Sequence, residues 1–212
     1  CKSFVGMHPI PVVHGMTVGE LAQMINSEGW LENGQTCELT VIKMSNYDHE
    51  MRYALPVKPS PNLPNDRAVN LYPSLCLFEG TIVSIGRGTT FPFQVIGYPD
   101  STLGDFTFTP VSIAGMAKNP KHKDVQCFGV DLRNAGEMKG FSIRYLLDFY
   151  QATGHRDDFF NSFFNKLAGN SMLKDQIISG MSEQEIRATW EASLNKFKSL
   201  RKQYLLYPDF RK

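Results

Sequence analysis

Glu79 ends an apolar run, Leu75-Cys76-Leu77-Phe78, and is followed by Gly80-Thr81. A carboxyl carried into apolar surroundings is suited to work as a general acid. The alternative use of the same residue is structural: it accepts hydrogen bonds from backbone N–H groups or pairs with Arg87. Five residues on, Ser84-Ile85-Gly86-Arg87-Gly88-Thr89-Thr90 combines glycines, hydroxyls and a guanidinium. Glycine lets backbone N–H groups come close to a ligand, and arginine offers a two-pronged fork to a carboxylate or phosphate. A hairpin turn whose arginine caps carbonyls would use the same residues. No GK[ST] follows, so this is not a Walker loop.

Further candidates are more scattered. His14 precedes a helix start at Thr17, where it could donate to a ligand or simply bond a loop carbonyl. Asn62, within Pro59-Ser60-Pro61-Asn62-Leu63-Pro64, could present its amide to a sugar hydroxyl from a stiff cleft wall, or only join two elements. Glu20 reads as the acid of a capping box. His49, Glu50, His122 and His155 lack metal-ligand spacing and read as surface residues. Cys1, Cys37, Cys76 and Cys127 form no CxxC and have no paired histidines, so zinc is not indicated. Cys37, Cys76 and Cys127 each sit in an apolar run and read as small core residues. No metal or organic cofactor is implied by any spacing.

The 212 residues include 22 Lys and Arg against 21 Asp and Glu, a net charge of +1, with 42% hydrophobic and 20% charged residues. This describes a folded domain rather than a disordered tail. Nucleic acid is a poor partner for so balanced a chain, whose basic residues concentrate only at 118–123 and in the last helix. No apolar run approaches the roughly 18 residues of a membrane span. The chain opens without an initiator Met or a signal-type segment and reads as starting inside a larger protein.

The elements that must position these residues follow from pattern. Thr17-Val18-Gly19-Glu20 has capping-box form and predicts a helix over 18–27. The alternation of residues 37–44 predicts a strand, and 56–64 a stiff Pro-rich loop. A helix is expected from about 65 to 78 despite Pro73, then strands over 93–98, 106–113 and 125–132. Helices are expected over 142–153, 157–167 and 182–205, the last with Ser182 and Glu185 as a second capping box. Its apolar positions Ile186, Trp190, Leu194, Phe197, Leu200 and Tyr204 make a packing stripe. The order predicts an α+β fold: a mixed sheet of short strands with flanking helices and a helical C-terminal third.

Several ordered blocks carry a resemblance. They are Val13-His14-Gly15-Met16-Thr17-Val18-Gly19-Glu20, Leu39-Thr40-Val41-Ile42-Lys43-Met44, the Pro59–Pro64 segment, Tyr72-Pro73, Cys76-Leu77-Phe78-Glu79-Gly80-Thr81, Gly86-Arg87-Gly88-Thr89 and Pro92-Phe93. Together they resemble the bacterial exo-β-N-acetylmuramidase family, densely to about residue 99 and loosely beyond. The resemblance implies release of terminal β-1,4-linked N-acetylmuramic acid from the non-reducing end of peptidoglycan fragments, and hence a cell-envelope setting, periplasmic or secreted. It implies that this chain is the C-terminal portion of a two-domain glycosidase, partnered by an N-terminal Rossmann-like domain of the same protein that is absent here. Residues 1–140 would then form the cleft part and 141–212 a helical part. It makes Glu79 the catalytic candidate, with Tyr72 and His14 lining the cleft. Arg87, with Ser84, Gly88, Thr89 and Asn62, would bind substrate, Arg87 holding the lactyl carboxylate of muramic acid. Gln94 departs from the acid expected after Pro92-Phe93 in many relatives. The competing expectation is a non-catalytic carbohydrate-binding or structural domain.

Overall fold

Helix α1 (Val18–Ser27) begins where the capping box places it: Thr17 Oγ1 accepts from the Glu20 N–H, and Glu20 Oε2 accepts from the Thr17 N–H at 2.7 Å. The computed structural model describes Ser3 and residues 5–211. Cys1 and the start of the opening segment therefore lie outside the described residues. Contacts divide the chain into two units, Cys1–Val5 with Ala54–Ile186 and Gly6–Tyr53 with Arg187–Lys212.

The first unit holds α2 (Asp66–Leu75), strands β1 (Val95–Tyr98), β2 (Phe106–Phe108) and β3 (Cys127–Asp131), then α3 (Arg144–Ala152), α4 (Phe164–Ala168) and α5 (Met172–Ile178). The strands form an antiparallel sheet in the order β1-β3-β2, with Gly97 opposite Gly129 and Phe108 opposite Cys127. The fold is α+β, and its C-terminal third is helical. The strands are shorter than the expected 93–98, 106–113 and 125–132. Phe93 has φ 57°, which delays β1 to Val95, and Pro110, without an N–H, ends what β2 could pair. Leu71, Leu75, Leu77, Phe78, Ile96 and Phe164 are fully buried, each contributing about 1.5–3 kcal/mol by leaving water. Phe159, Phe160 and Phe164 meet edge to face, with centroids 4.8 and 4.5 Å apart.

The helix expected over 157–167 starts late, because the backbone around Phe159 and Phe160 is used elsewhere. Phe159 O accepts the Ile82 N–H, and Phe160 bridges Thr81. Helix α4 then ends at Gly169 in the left-handed region. Helix α5 was not expected; its signal is Asn170, whose Oδ1 accepts from the Leu173 N–H. Ser182 and Glu185 form the second predicted capping box at the start of α6 (Glu183–Arg201).

In the second unit Glu20 is fully buried and fully bonded, as a buried carboxylate must be. Its Oε1 accepts from the Leu206 N–H at 2.7 Å and from His49 Nε2 at 3.0 Å. His49 is thus a buried partner rather than a surface residue. Burial alone would raise the Glu20 pKa, but the Leu206 and Thr17 N–H groups and His49 together hold it below its usual value. Residues 37–44 form no strand. Their backbone is tied by side chains instead: Asn26 exchanges two hydrogen bonds with Cys37, and Tyr207 Oη accepts from the Met44 N–H. Cys37 is exposed, not a core residue.

Candidate active site

Glu79 stands on a tight 3₁₀ turn, Cys76–Gly80, that continues α2 directly. Asn65 caps α2 by accepting from the Ala68 N–H at 2.9 Å. Buried Gln94 in turn accepts from the Asn65 side chain at 3.2 Å. Pro73 removes an N–H near the helix end and lets the chain tighten. Thr81 closes the turn, its N–H and hydroxyl both donating to Phe78 O at 3.0 and 2.9 Å. The Asn161 N–H donates to Gly80 O.

The Glu79 carboxyl meets a cation directly: Arg87 Nη1 donates to Oε1 at 2.6 Å. The pair is reachable from solvent, the two side chains being 40% (Arg87) and 24% (Glu79) exposed. Tyr72 is partly exposed, its ring tilted against Phe93 at 4.8 Å. Phe93 holds that place in a left-handed conformation costly for an aromatic residue. Burial raises the Tyr72 phenol pKa, the Cys76 and Glu79 charges add to this and Arg87 opposes it, so the phenol stays a donor at neutral pH. The Cys76 thiol is pushed up to about 12, first by burial and then by Glu79. It is no nucleophile at neutral pH. Tyr72, Glu79 and Arg87 thus form one cluster in the first unit.

The loop beyond Glu79 uses its polar groups on itself. Ser84 is buried and its Oγ accepts from the Gly86 N–H at 3.3 Å. Thr89 Oγ1 donates to Gly86 O at 2.6 Å and accepts from the Phe91 N–H at 3.1 Å. Gly88 has φ 85°, and a Cβ there would lie 2.6 Å from Pro120 Cγ and 2.7 Å from Val111 O. It is glycine because the chain's own neighbours crowd it. Asn62 Nδ2 donates to Met116 O at 2.9 Å, while its buried Oδ1 has no partner among the described residues. His14 belongs to the second unit. There its Nδ1 accepts from the Met16 N–H, and burial, then Arg201, lowers its pKa.

Two residues that pattern alone did not place here complete the cluster. Lys121, within the basic run 118–123, points its ammonium at the carbonyls of the Glu79 turn, 2.8 Å from Phe78 O and 3.2 Å from Glu79 O. Burial pushes its pKa down to about 8 against the pull of Glu79, which leaves it protonated at neutral pH. His122 is not a surface residue: its Nε2 lies 2.6 Å from Ile82 O and its ring meets Tyr98 edge-on. No group of three or more His, Cys, Asp or Glu among the described residues could hold a metal ion. No helix among them is long and apolar enough to cross a membrane.

Residues 70–207 match the family model described as exo-beta-N-acetylmuramidase NamZ, C-terminal, and residues 1–67 match its N-terminal counterpart. The chain is 36% identical over 224 residues to the peptidoglycan beta-N-acetylmuramidase NamZ of Bacillus subtilis (strain 168), covering 97% of this chain and 53% of that protein. A DUF1343 family protein of Bacteroides fragilis NCTC 9343 superposes with a TM-score of 0.94 at 50% identity, over 99% of this chain and 60% of its own. A second from the same organism, at 22% identity, shares the fold, with a TM-score of 0.78 over 97% and 59%. The chain spans about half the length of the curated relative it matches.

Proposed function

The chain belongs to the exo-beta-N-acetylmuramidase NamZ family, and on that premise we propose that it is part of a peptidoglycan-fragment glycoside hydrolase. Its reaction is release of terminal β-1,4-linked N-acetylmuramic acid from the non-reducing end. The observation that carries the reading is the solvent-accessible contact of Glu79 with Arg87 on a turn fixed from both sides. Glycoside hydrolysis passes through an oxocarbenium-like transition state and needs a proton for the departing oxygen. Glu79 is the group to supply it. N-acetylmuramic acid carries a lactyl carboxylate, and the Arg87 fork is the group to receive it. Substrate entry would then exchange one carboxylate partner of Arg87 for another and free Glu79 to face the glycosidic oxygen. Tyr72 supplies a neutral hydroxyl beside them.

The second carboxyl of the reaction is assigned to the remainder of the N-terminal Rossmann-like region. Its distance from Glu79 would decide between retention and inversion. The setting that fits the substrate is the cell envelope, periplasmic or secreted. The internal bonding of Ser84 and Thr89 favours a second reading, a non-catalytic saccharide-binding or structural domain.

One assay separates the two. N-acetylmuramic acid release is measured from MurNAc-β-1,4-GlcNAc and from the reversed disaccharide, with this chain and with one carrying the N-terminal region in full. Release from the first substrate alone, reduced about 100-fold or more by Glu79→Gln, is expected. Turnover of Glu79→Gln within a few-fold of the parent refutes the acid role. Binding without turnover in both chains selects the second reading.

A further inference from the structure

Residues 78–83 form no ladder of their own, yet the dipeptide Lys121-His122 meets five of their six carbonyl oxygens. Lys121 Nζ lies 2.8 Å from Phe78 O, 3.2 Å from Glu79 O, 2.5 Å from Thr81 O and 3.4 Å from Val83 O. His122 Nε2 lies 2.6 Å from Ile82 O; a carbonyl carries no proton, so this nitrogen is the donor. The sixth oxygen, Gly80 O, takes the Asn161 N–H.

We propose that Lys121 is the positioning residue of Glu79, a tethered cation around which the turn carrying the carboxyl is wrapped. The inference rests on the reading of Glu79 as the acid. Four carbonyl dipoles directed at one point repel one another, and only a positive charge or several N–H donors make the arrangement favourable. An ammonium supplies both, with three protons for oxygens that would equally coordinate a potassium-sized ion. The oxygens it holds belong to Glu79 itself, to the residue before it and to residues two and four beyond. They bracket the Glu79 Cα on both sides. The two cations divide the work: Arg87 donates to the carboxyl, whereas Lys121 donates to the main chain that aims it. Lys121 reaches the site from 40 residues beyond Thr81.

Two variants test this in the chain carrying the N-terminal region in full. Lys121→Met keeps the side-chain length and removes the charge. It is expected to lower kcat on MurNAc-β-1,4-GlcNAc about 100-fold with little change in KM, the effect of misplacing a reacting group. Lys121→Ala leaves room among the four carbonyls, so ammonium or methylammonium should restore its kcat and raise its thermal midpoint, while tetramethylammonium should not. Lys121→Met, its space filled, should show no such rescue.

A kcat for Lys121→Met within a few-fold of the parent, alongside an inactive Glu79→Gln, overturns the proposal. So does a Lys121→Ala protein indifferent to which of these cations is present. If Lys121→Ala folds in no salt, the kcat of Lys121→Met decides alone. If Glu79→Gln itself turns over, the acid role falls instead. The ammonium-specific stabilisation of Lys121→Ala then still reports whether Lys121 holds the turn.

Discussion

Gly80→Ala places one methyl group where the Glu79 turn meets α4. The added Cβ would lie 2.5 Å from Phe164 Cα, 2.8 Å from its Cβ and 2.9 Å from its N. Carbon atoms rest at about 3.5–4.0 Å, so α4 must retreat by about 1 Å. All three atoms belong to the backbone or its first carbon, and no rotamer change relieves them. Overpacking of this kind costs about 1–3 kcal/mol, and the retreat also strains the Asn161 bond to Gly80 O and the edge-to-face contact of Phe164 with Phe160. The reduced freedom of the unfolded chain returns about 0.4–1 kcal/mol. The net loss is about 1–2 kcal/mol, and at about 2–4 °C per kcal/mol for a chain of this size the thermal midpoint falls by about 2–8 °C. Gly136→Ala is the control, because a Cβ there meets nothing within 4 Å and its φ is not left-handed. Differential scanning calorimetry of the two variants reads the difference. A Gly80→Ala midpoint equal to that of Gly136→Ala would refute the argument that the turn is clamped against α4.

Arg87→Ala removes a half-exposed ion pair whose worth to stability is about 1 kcal/mol or less. Its melting temperature should barely move, while its preference for muramic over glucosamine termini collapses; an unchanged preference would remove Arg87 from substrate recognition. The Glu20 carboxyl, held below its usual pKa of 4.5, contributes stability that is full above that value and lost as pH falls through the lowered one. Urea midpoints of Glu20→Gln should therefore vary less with acidification than those of the parent, and parallel acid limbs would contradict this. Iodoacetamide followed by peptide mapping should label exposed Cys37 and spare Cys76 and Cys127, whose thiols are pushed up to about 12. Prompt labelling of Cys76 in the folded chain would refute the burial of its thiol.

Within the candidate site, the position of Glu79 just beyond a helix and the nearness of Arg87 were legible, because only eight residues separate the two; the tight turn that carries Glu79 was not. Their pairing was one of two readings that the residues left open. The loop hydroxyls of Ser84 and Thr89 looked equally fit for a ligand. The fold gives them to backbone groups two or three residues away. Asn62 and His14 have side chains fit for a ligand, and each bonds a main-chain group of its own unit.

The sequence by itself determined what depends on a single turn of chain. The Thr17–Glu20 box fixed both the start of α1 and the use of Glu20 as its cap, and Ser182 with Glu185 did the same for α6. Segments bounded by turns located the three strands, and left-handed backbone or proline trimmed their ends. Only the tertiary structure decided which groups satisfy backbone that no regular element pairs. Residues 37–44 have the alternation of a strand, but a strand needs a neighbour, and their backbone is tied to Asn26 and Tyr207 instead. The carbonyls of the Glu79 turn find Lys121 and His122 some 40 residues away. No local periodicity encodes that meeting, because a buried carbonyl requires a donor but does not specify where in the chain the donor lies.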